Sequence, residues 1–255
     1  MVSLSFVSLL PACYQIGEEE EVVLNKSSKL SIVTRSSSNT SIEYPLTIYA
    51  FAEDGTCKAT AVAESADEAV ALNLAGGSYR ITAVAGYSDF DVSENISATA
   101  AIATKTGNVA QSALMMGSAD VQMSGSSTVS LQMALKVASM EVSLQGLPDD
   151  VTEVTVSFAN EYSKMLLDGT YSDGTKTTKA CVKDEDRWTT GRFYILPSAD
   201  DETVVSIAVN DGTETQTYGY TYSAKFKAGI PYSLNGTYAQ GFSLTGNIVA
   251  NNWDK

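Results

Sequence analysis

Three cysteines, thirty carboxylates and no histidine are the groups with which this 255-residue chain could do chemistry. Without histidine, Ser-His-Asp and Cys-His arrangements cannot form, and histidine-ligated zinc is excluded. No glycine-rich phosphate loop follows a strand pattern, so nucleotide chemistry lacks its usual cradle and no cofactor is expected. A glycosidase-like carboxylate pair would have to come from clusters such as Asp184, Glu185 and Asp186, or Asp200, Asp201 and Glu202. Such a pair needs a fixed separation across a cleft. Both clusters stand among turn-forming residues, where a solvated acidic loop is the simpler reading. The same side chains could ligate calcium, but no D-x-[DN]-x-[DN]-G loop organises them. The carboxylates therefore name no catalytic residue and no metal ligand.

Cysteine is more informative. The apolar run VSLSFVSLLPA, Val2 to Ala12, ends immediately before Cys13, and an acidic run, Glu18 to Glu21, follows. Its length, apolarity and small last residue suit a secretory h-region. Leu10, Pro11, Ala12 and Cys13 resemble a bacterial lipobox, in which the cysteine is lipidated and becomes the mature N-terminus. Pro11 departs from that pattern, and no Lys or Arg precedes the apolar run. The plainer alternative is a short buried strand with a core cysteine. The lipobox reading makes residues 1–12 a signal peptide and residues 13–28 a lipidated N-terminus with an acidic tether. Two or more acyl chains would anchor the protein stably where one would be marginal. Cys57 and Cys181 lie 124 positions apart without ligand-like spacing, and read as buried free thiols.

The formal net charge of −14 disfavours nucleic acid and anionic lipid headgroups, both of which demand a cationic surface. No run of about 18 to 20 apolar residues is available to span a bilayer. If the protein sits at a membrane, Cys13 is the residue that holds it there.

Aromatic side chains offer a second kind of chemistry. Tyr218, Tyr220 and Tyr222 share one face of TYGYTY and, with Trp188, could form a platform for stacking sugar rings. Such alternation also describes a strand covering a core, with the rings packed and the hydroxyls at the edge, and that is the simpler reading. Trp188 and Trp253 read likewise as core or rim anchors.

The elements that must carry these residues are strands. In EVTVSF, Val154, Val156 and Phe158 fall on one face and Glu153, Thr155 and Ser157 on the other. The same period runs through Leu46, Ile48 and Ala50, through Tyr79, Ile81 and Ala83, through Val205, Ile207 and Val209, and through Phe242, Leu244 and Ile248. Asp54-Gly55, Asp168-Gly169, Asp173-Gly174 and Asp211-Gly212 read as tight hairpin turns. Many short strands with few helical patterns predict an all-β, mostly antiparallel chain built of sandwiches. Val129 to Val137 keep one parity, whereas Met140, Val142 and Leu144 keep the other, which places a crossing between two cores near Ala138. Domains are therefore expected at 29–137 and 138–255. A short echo, Ala75-Gly76-x-x-Tyr79-x-Ile81 and Ala228-Gly229-x-x-Tyr232-x-Leu234, suggests that they are related.

The phrases YPLTIYAFAEDGTC (Tyr44 to Cys57), LNLAGGSYRITAVAG (Leu72 to Gly86), LMMGSADVQM (Leu114 to Met123), LQGLPDDVTEVTVSF (Leu144 to Phe158), LLDGTYSDG (Leu166 to Gly174) and GFSLTGNIVANNW (Gly241 to Trp253) together resemble the fimbrillin superfamily of Bacteroidales, and most of all its minor, anchor-like FimB branch. The resemblance runs in order through nearly the whole chain. It implies two tandem transthyretin-like Greek-key β-sandwich domains, export to the outer membrane as a surface-exposed lipoprotein, and a structural role in fimbriae or adhesion. It implies no catalysis. The implied partners are other fimbrial subunits, joined by strand complementation, and a host or microbial surface ligand.

In polymerising members of that superfamily a protease cuts after an arginine beyond the first strand, and a neighbour's strand fills the vacated groove. Here the matching residue is Arg35, between the strand-like Lys29 to Thr34 and a Ser/Asn-rich stretch. Phe242, Leu244 and Ile248 are the candidate donor-strand residues. Anchor-like members keep their first strand, and on that branch Arg35 is an ordinary turn residue. Both readings stand at this point, as does that of a surface glycan-binding lipoprotein.

Overall fold

The computed structural model describes residues 27–37, 40–239 and 243–250. Cys13, Phe242 and Trp253 lie outside the described residues. Strands make up nearly all of the regular structure. The first nine are β1 (Ser28–Ser36), β2 (Leu46–Ala52), β3 (Cys57–Ala63), β4 (Val70–Leu74), β5 (Gly77–Ala85), β6 (Phe90–Val92), β7 (Ala101–Thr104), β8 (Met115–Met123) and β9 (Ser127–Leu135). They are followed by β10 (Ala138–Gln145), β11 (Glu153–Leu166), β12 (Tyr171–Ala180), β13 (Val182–Asp184), β14 (Arg187–Ile195), β15 (Thr203–Asn210), β16 (Thr215–Tyr222), β17 (Pro231–Ala239) and β18 (Ser243–Ala250).

Side-chain alternation makes these strands half-buried ribbons. In β9, Val129, Leu131, Met133 and Leu135 are buried while Thr128, Ser130 and Gln132 face solvent. In β15, Val205, Ile207 and Val209 are buried in the same way. Each such side chain contributes about 1.5–3 kcal/mol through the apolar area it removes from water. The parity change falls at Lys136 and Val137, between β9 and β10. There the Lys136 N–H donates to the Leu114 carbonyl at 2.8 Å, and the Gly229 N–H donates to the Val137 carbonyl at 2.9 Å. These bonds occupy backbone groups that leave one ladder before the next begins.

Three sheets result. A seven-stranded sheet runs β3-β2-β5-β8-β9-β1-β4, with β1 parallel to β9. A five-stranded sheet runs β13-β14-β10-β17-β18, with β10 parallel to β17. The third runs β16-β15-β11-β7-β6, with β12 on the other edge of β11. Leu30, Ile48, Ile81, Leu131 and their neighbours form one core inside the first sheet. Val142, Val156, Phe158, Trp188, Phe193 and Phe226 form a second between the other two sheets. A third cluster, with Phe51, Val84, Ile102, Met116, Val137 and Met165, joins the two halves of the chain. β6 and β7 come from the first half yet pair into the third sheet. The crossing at Ala138 therefore separates two cores without separating the sheets.

Three of the four Asp-Gly pairs are turns between paired strands, with Gly55 at φ 79°, Gly169 at 91° and Gly212 at 90°. Asp173-Gly174 is not a turn: it lies within β12, where Asp173 has φ 55° and its carboxylate meets Lys164 Nζ at 2.6 Å. The β11–β12 hairpin closes instead at Asp168 and Gly169, where the Thr170 N–H donates to Asp168 Oδ1 at 2.8 Å.

Candidate assembly surface

β1 occupies an interior position of the first sheet. Its residues Leu30 to Ser36 run parallel to β9, and Ser28 to Ile32 pair antiparallel with β4. Leu30 is fully buried and Ile32 nearly so, and both belong to the first core. Beyond Ile32 the pairing with β4 ends, and four residues, Val33 to Ser36, continue along β9. Arg35 is one of these four: it is exposed and stands inside the strand rather than beyond it. The ladder continues to the Ser37 N–H, which donates to the Met133 carbonyl at 2.8 Å. Beside β1 a hollow of about 300 Å³ opens between the strand and the 65–69 connection, lined by Ile32, Tyr44, Leu46, Ala63 and Val70 among others.

At the other end of the chain, β18 closes one edge of the five-stranded sheet and pairs antiparallel with β17, with Leu244 level with Tyr238 and Ile248 level with Leu234. Ile248 packs partly against the second core. Val249 faces out and is 42% exposed. Among the described residues no further strand pairs with this edge, and such an edge is a template for another strand.

The proposed sugar platform is not brought together. Trp188 is buried in the second core and offers no face to a ligand. Tyr222 stacks on Phe226 with ring centroids 5.4 Å apart, and Tyr218 meets Tyr238 edge-on at 6.1 Å, so both rings are taken up by packing. Only Tyr220 of the four stands clear, at 40% exposure. Trp188 is buried because it lies on the β14 face turned to the core, level with Leu144 of β10.

The acidic clusters are solvated. Asp184 ends β13, and Glu185 and Asp186 form the exposed turn to β14, with Glu185 in the left-handed region at φ 56°. Asp201 pairs with Lys225 at 2.9 Å on the surface. Among the described residues no group of three or more Cys, Asp and Glu side chains converges as a metal site would require. Cys57 and Cys181 are unpaired thiols. Burial pushes the Cys181 thiol up to about 12, which leaves it unreactive near neutral pH.

Glu161 is a residue that the sequence pattern hides. It is fully buried, and neither carboxyl oxygen has a hydrogen-bond partner. Alternation from Val154, Val156 and Phe158 would turn position 161 outward. A bulge between Ala159 and Glu161 reverses the faces. The one local signal is Asn160, a residue tolerant of the left-handed conformation it adopts here, at φ 68°.

These features can be set against known proteins. No relative among curated proteins matches the chain in sequence. In fold it is similar to the fimbrial anchor protein Mfa2 from Porphyromonas gingivalis, with a TM-score of 0.66 at 14% identity over 89% of this chain and 98% of that one. It is also similar to a Bacteroides thetaiotaomicron protein described as a polysaccharide-binding candidate, with a TM-score of 0.65 at 10% identity over 89% and 96% of the two chains. A Bacteroides ovatus protein described as a candidate adhesin gives 0.63 at 12% identity over 90% and 96%. A family model described as "Fimbrillin-A associated anchor proteins Mfa1 and Mfa2" matches residues 27–255. By that match over most of its length, the chain belongs to the family of fimbrillin-A associated anchor proteins.

Proposed function

We propose that this protein is a lipid-anchored surface subunit of a fimbria or adhesive fibre, one that keeps its own first strand and so begins or ends a fibre without propagating it. The place of β1 carries the reading: Leu30 and Ile32 fill the first core, and the strand is paired on both sides over Leu30 to Ile32. A chain whose groove is already filled by its own strand has no groove to offer a neighbour's. What remains for assembly is an edge, and the β18 edge pairs with other subunits through backbone hydrogen bonds.

Lipid on Cys13 would tie this body to the outer membrane. Residues 13–28 are then the lipidated N-terminus and its acidic tether. Mutual repulsion among Glu18 to Glu21 favours extension. N-terminal analysis of material from the cell surface tests the proposal. A mature chain beginning at acylated Cys13 supports it, and one beginning at Ser36 overturns it in favour of a polymerising subunit cut after Arg35. That second reading draws on one observation, the exposure of Arg35 beyond the end of the β4 pairing.

A further inference from the structure

Among the described residues Glu161 is the only Asp, Glu, Lys or Arg that is buried, and its carboxyl group has no hydrogen-bond partner from another residue, its own backbone N–H offsetting only part of the cost of burial. An ionised carboxylate cannot be held there without loss, so the group takes up a proton instead. Burial pushes its acid up to about 8. No charged side chain acts on it. On β11 itself and on β12, Lys164 and Asp173 pair with each other at 2.6 Å, and Lys176 is exposed. Beyond the 197–199 segment, Asp200, Asp201 and Glu202 face solvent, with Asp201 bound to Lys225. Opposite Glu161 in the ladder stands Thr175, whose hydroxyl accepts from Asn108 Nδ2 at 3.1 Å. Thr177, on the same side of β12, is a second buried group without a partner.

The position of Glu161 gives this chemistry a mechanical consequence. β11 pairs with β15 over Glu153 to Phe158, and with β7 over Lys164 to Leu166, along one edge. Between these stretches the edge has no full strand beside it. The 197–199 segment closes the gap: the Tyr162 N–H donates to the Pro197 carbonyl at 2.9 Å, the Ala199 N–H donates to the Asn160 carbonyl at 2.6 Å, and Glu161 and Ser198 form a bridge. Ser198 in turn is tied to Phe226 of the second core: its N–H donates to the Phe226 carbonyl and its hydroxyl oxygen accepts from the Phe226 N–H, both at 3.0 Å. Glu161 thus lies where strands from the two halves of the chain meet on one edge.

We propose that Glu161 is a proton-controlled latch at this junction. Protonated, it lets the Asn160 bulge and the 197–199 segment close over it. Ionised, it draws in water and opens them, loosening the seam between β7 and β15. The closed state binds the proton more tightly than the open state, in which the group regains its ordinary value of 4.5. Closure is therefore complete below about 4.5, weakens as pH rises from there to about 8, and changes no further above that. With one proton involved, the opening equilibrium shifts by at most about tenfold per pH unit within that window.

Hydrogen exchange on the whole protein between pH 5 and 9, corrected for the base catalysis of free amides, reads the opening directly. The amides of Tyr162 and Ala199 should lose protection across the window, those of Ile81 and Ala83 in the first core should keep it, and Glu161→Gln should hold Tyr162 and Ala199 closed throughout. Equal pH dependence in the wild type and in Glu161→Gln overturns the proposal. The carboxyl carbon of Glu161, followed by NMR in the unmutated chain, gives a second reading that does not depend on the variant folding. A midpoint near 8 supports the latch, and one near 4.5 overturns it.

Discussion

Arg35 on β1 stands level with Gln132 on β9, in the one parallel pairing among the described strands of the first sheet. A protease that cuts after Arg35 must first lift Val33 to Ser36 off β9, because peptide bonds are cleaved in extended, accessible chain. The β4 ladder on the other side ends at Ile32 and does not hold these four residues. Trypsin at low concentration should therefore nick the folded protein slowly after Arg35, and Arg35→Ala should remove that nick while changing unfolding stability by no more than about 0.5 kcal/mol. Cutting as fast as in a denatured control would show that β1 is not held as described.

Leu30 tests the same strand from the inside. It is fully buried in the first core, so Leu30→Ala should cost about 2–5 kcal/mol through lost burial and the cavity left behind. Chemical denaturation measures this. A loss below about 1 kcal/mol would mean that β1 is dispensable to the core, and the reading of a self-filled groove would fail with it.

Trp188 and Tyr220 should separate in the same way. Trp188→Ala should cost about 3–5 kcal/mol as a core deletion, whereas Tyr220→Ala, which removes an exposed ring from the edge strand β16, should stay within about 0.5 kcal/mol. If Trp188→Ala proved silent in stability but lowered binding to a glycan surface, the sugar platform would be restored.

The difference between those two residues shows how much the sequence reveals. Period two in Val205, Ile207 and Val209 places β15 and its inner face, and the parity change beside Ala138 falls between residues of the first core and residues of the second. Both are local, and local pattern is what a pleated, half-buried strand imposes. Trp188 was ambiguous because a single aromatic residue fits a core or a platform equally well until its strand is paired. The pairing of β14 with β10 decided it. Glu161 was hidden for the opposite reason: one bulged residue inverts the faces after Phe158, and nothing in alternation announces a bulge. The parallel pairings of β1 with β9 and of β10 with β17 join residues about a hundred positions apart, and no local period reports them. The repeated phrase at Ala75 and Ala228 leads into β5 and β17, of which β5 has two antiparallel neighbours and β17 one parallel. It marks similar strand starts in different surroundings.

The thiols give a direct test of burial. Cys57 is half-buried at the start of the edge strand β3, and Cys181 is buried with its acidity suppressed. A thiol reagent at pH 7.5 should modify Cys57 in the folded protein and reach Cys181 only on unfolding. Rapid modification of Cys181 in native buffer would contradict its place in the second core.

β18 bonds to β17 and closes the five-stranded sheet, with Ile248 packed partly on the second core and Val249 turned outward. Removing residues 242–255 would strip this cover and free the backbone groups of β17 that pair with β18 over Tyr232 to Ala239. Such an edge is a template for any extended chain. If β18 serves its own sheet, as the proposed anchor requires, the truncated protein should self-associate in sedimentation experiments, and a peptide of residues 242–255 added in excess should return it to monomer by refilling the edge. If β18 instead serves a neighbour's sheet, truncation should abolish assembly of the full fibre and leave a monomer that the peptide does not alter. The two outcomes differ in sign, so one sedimentation series with and without peptide decides whether the terminal strand caps this subunit or joins it to the next.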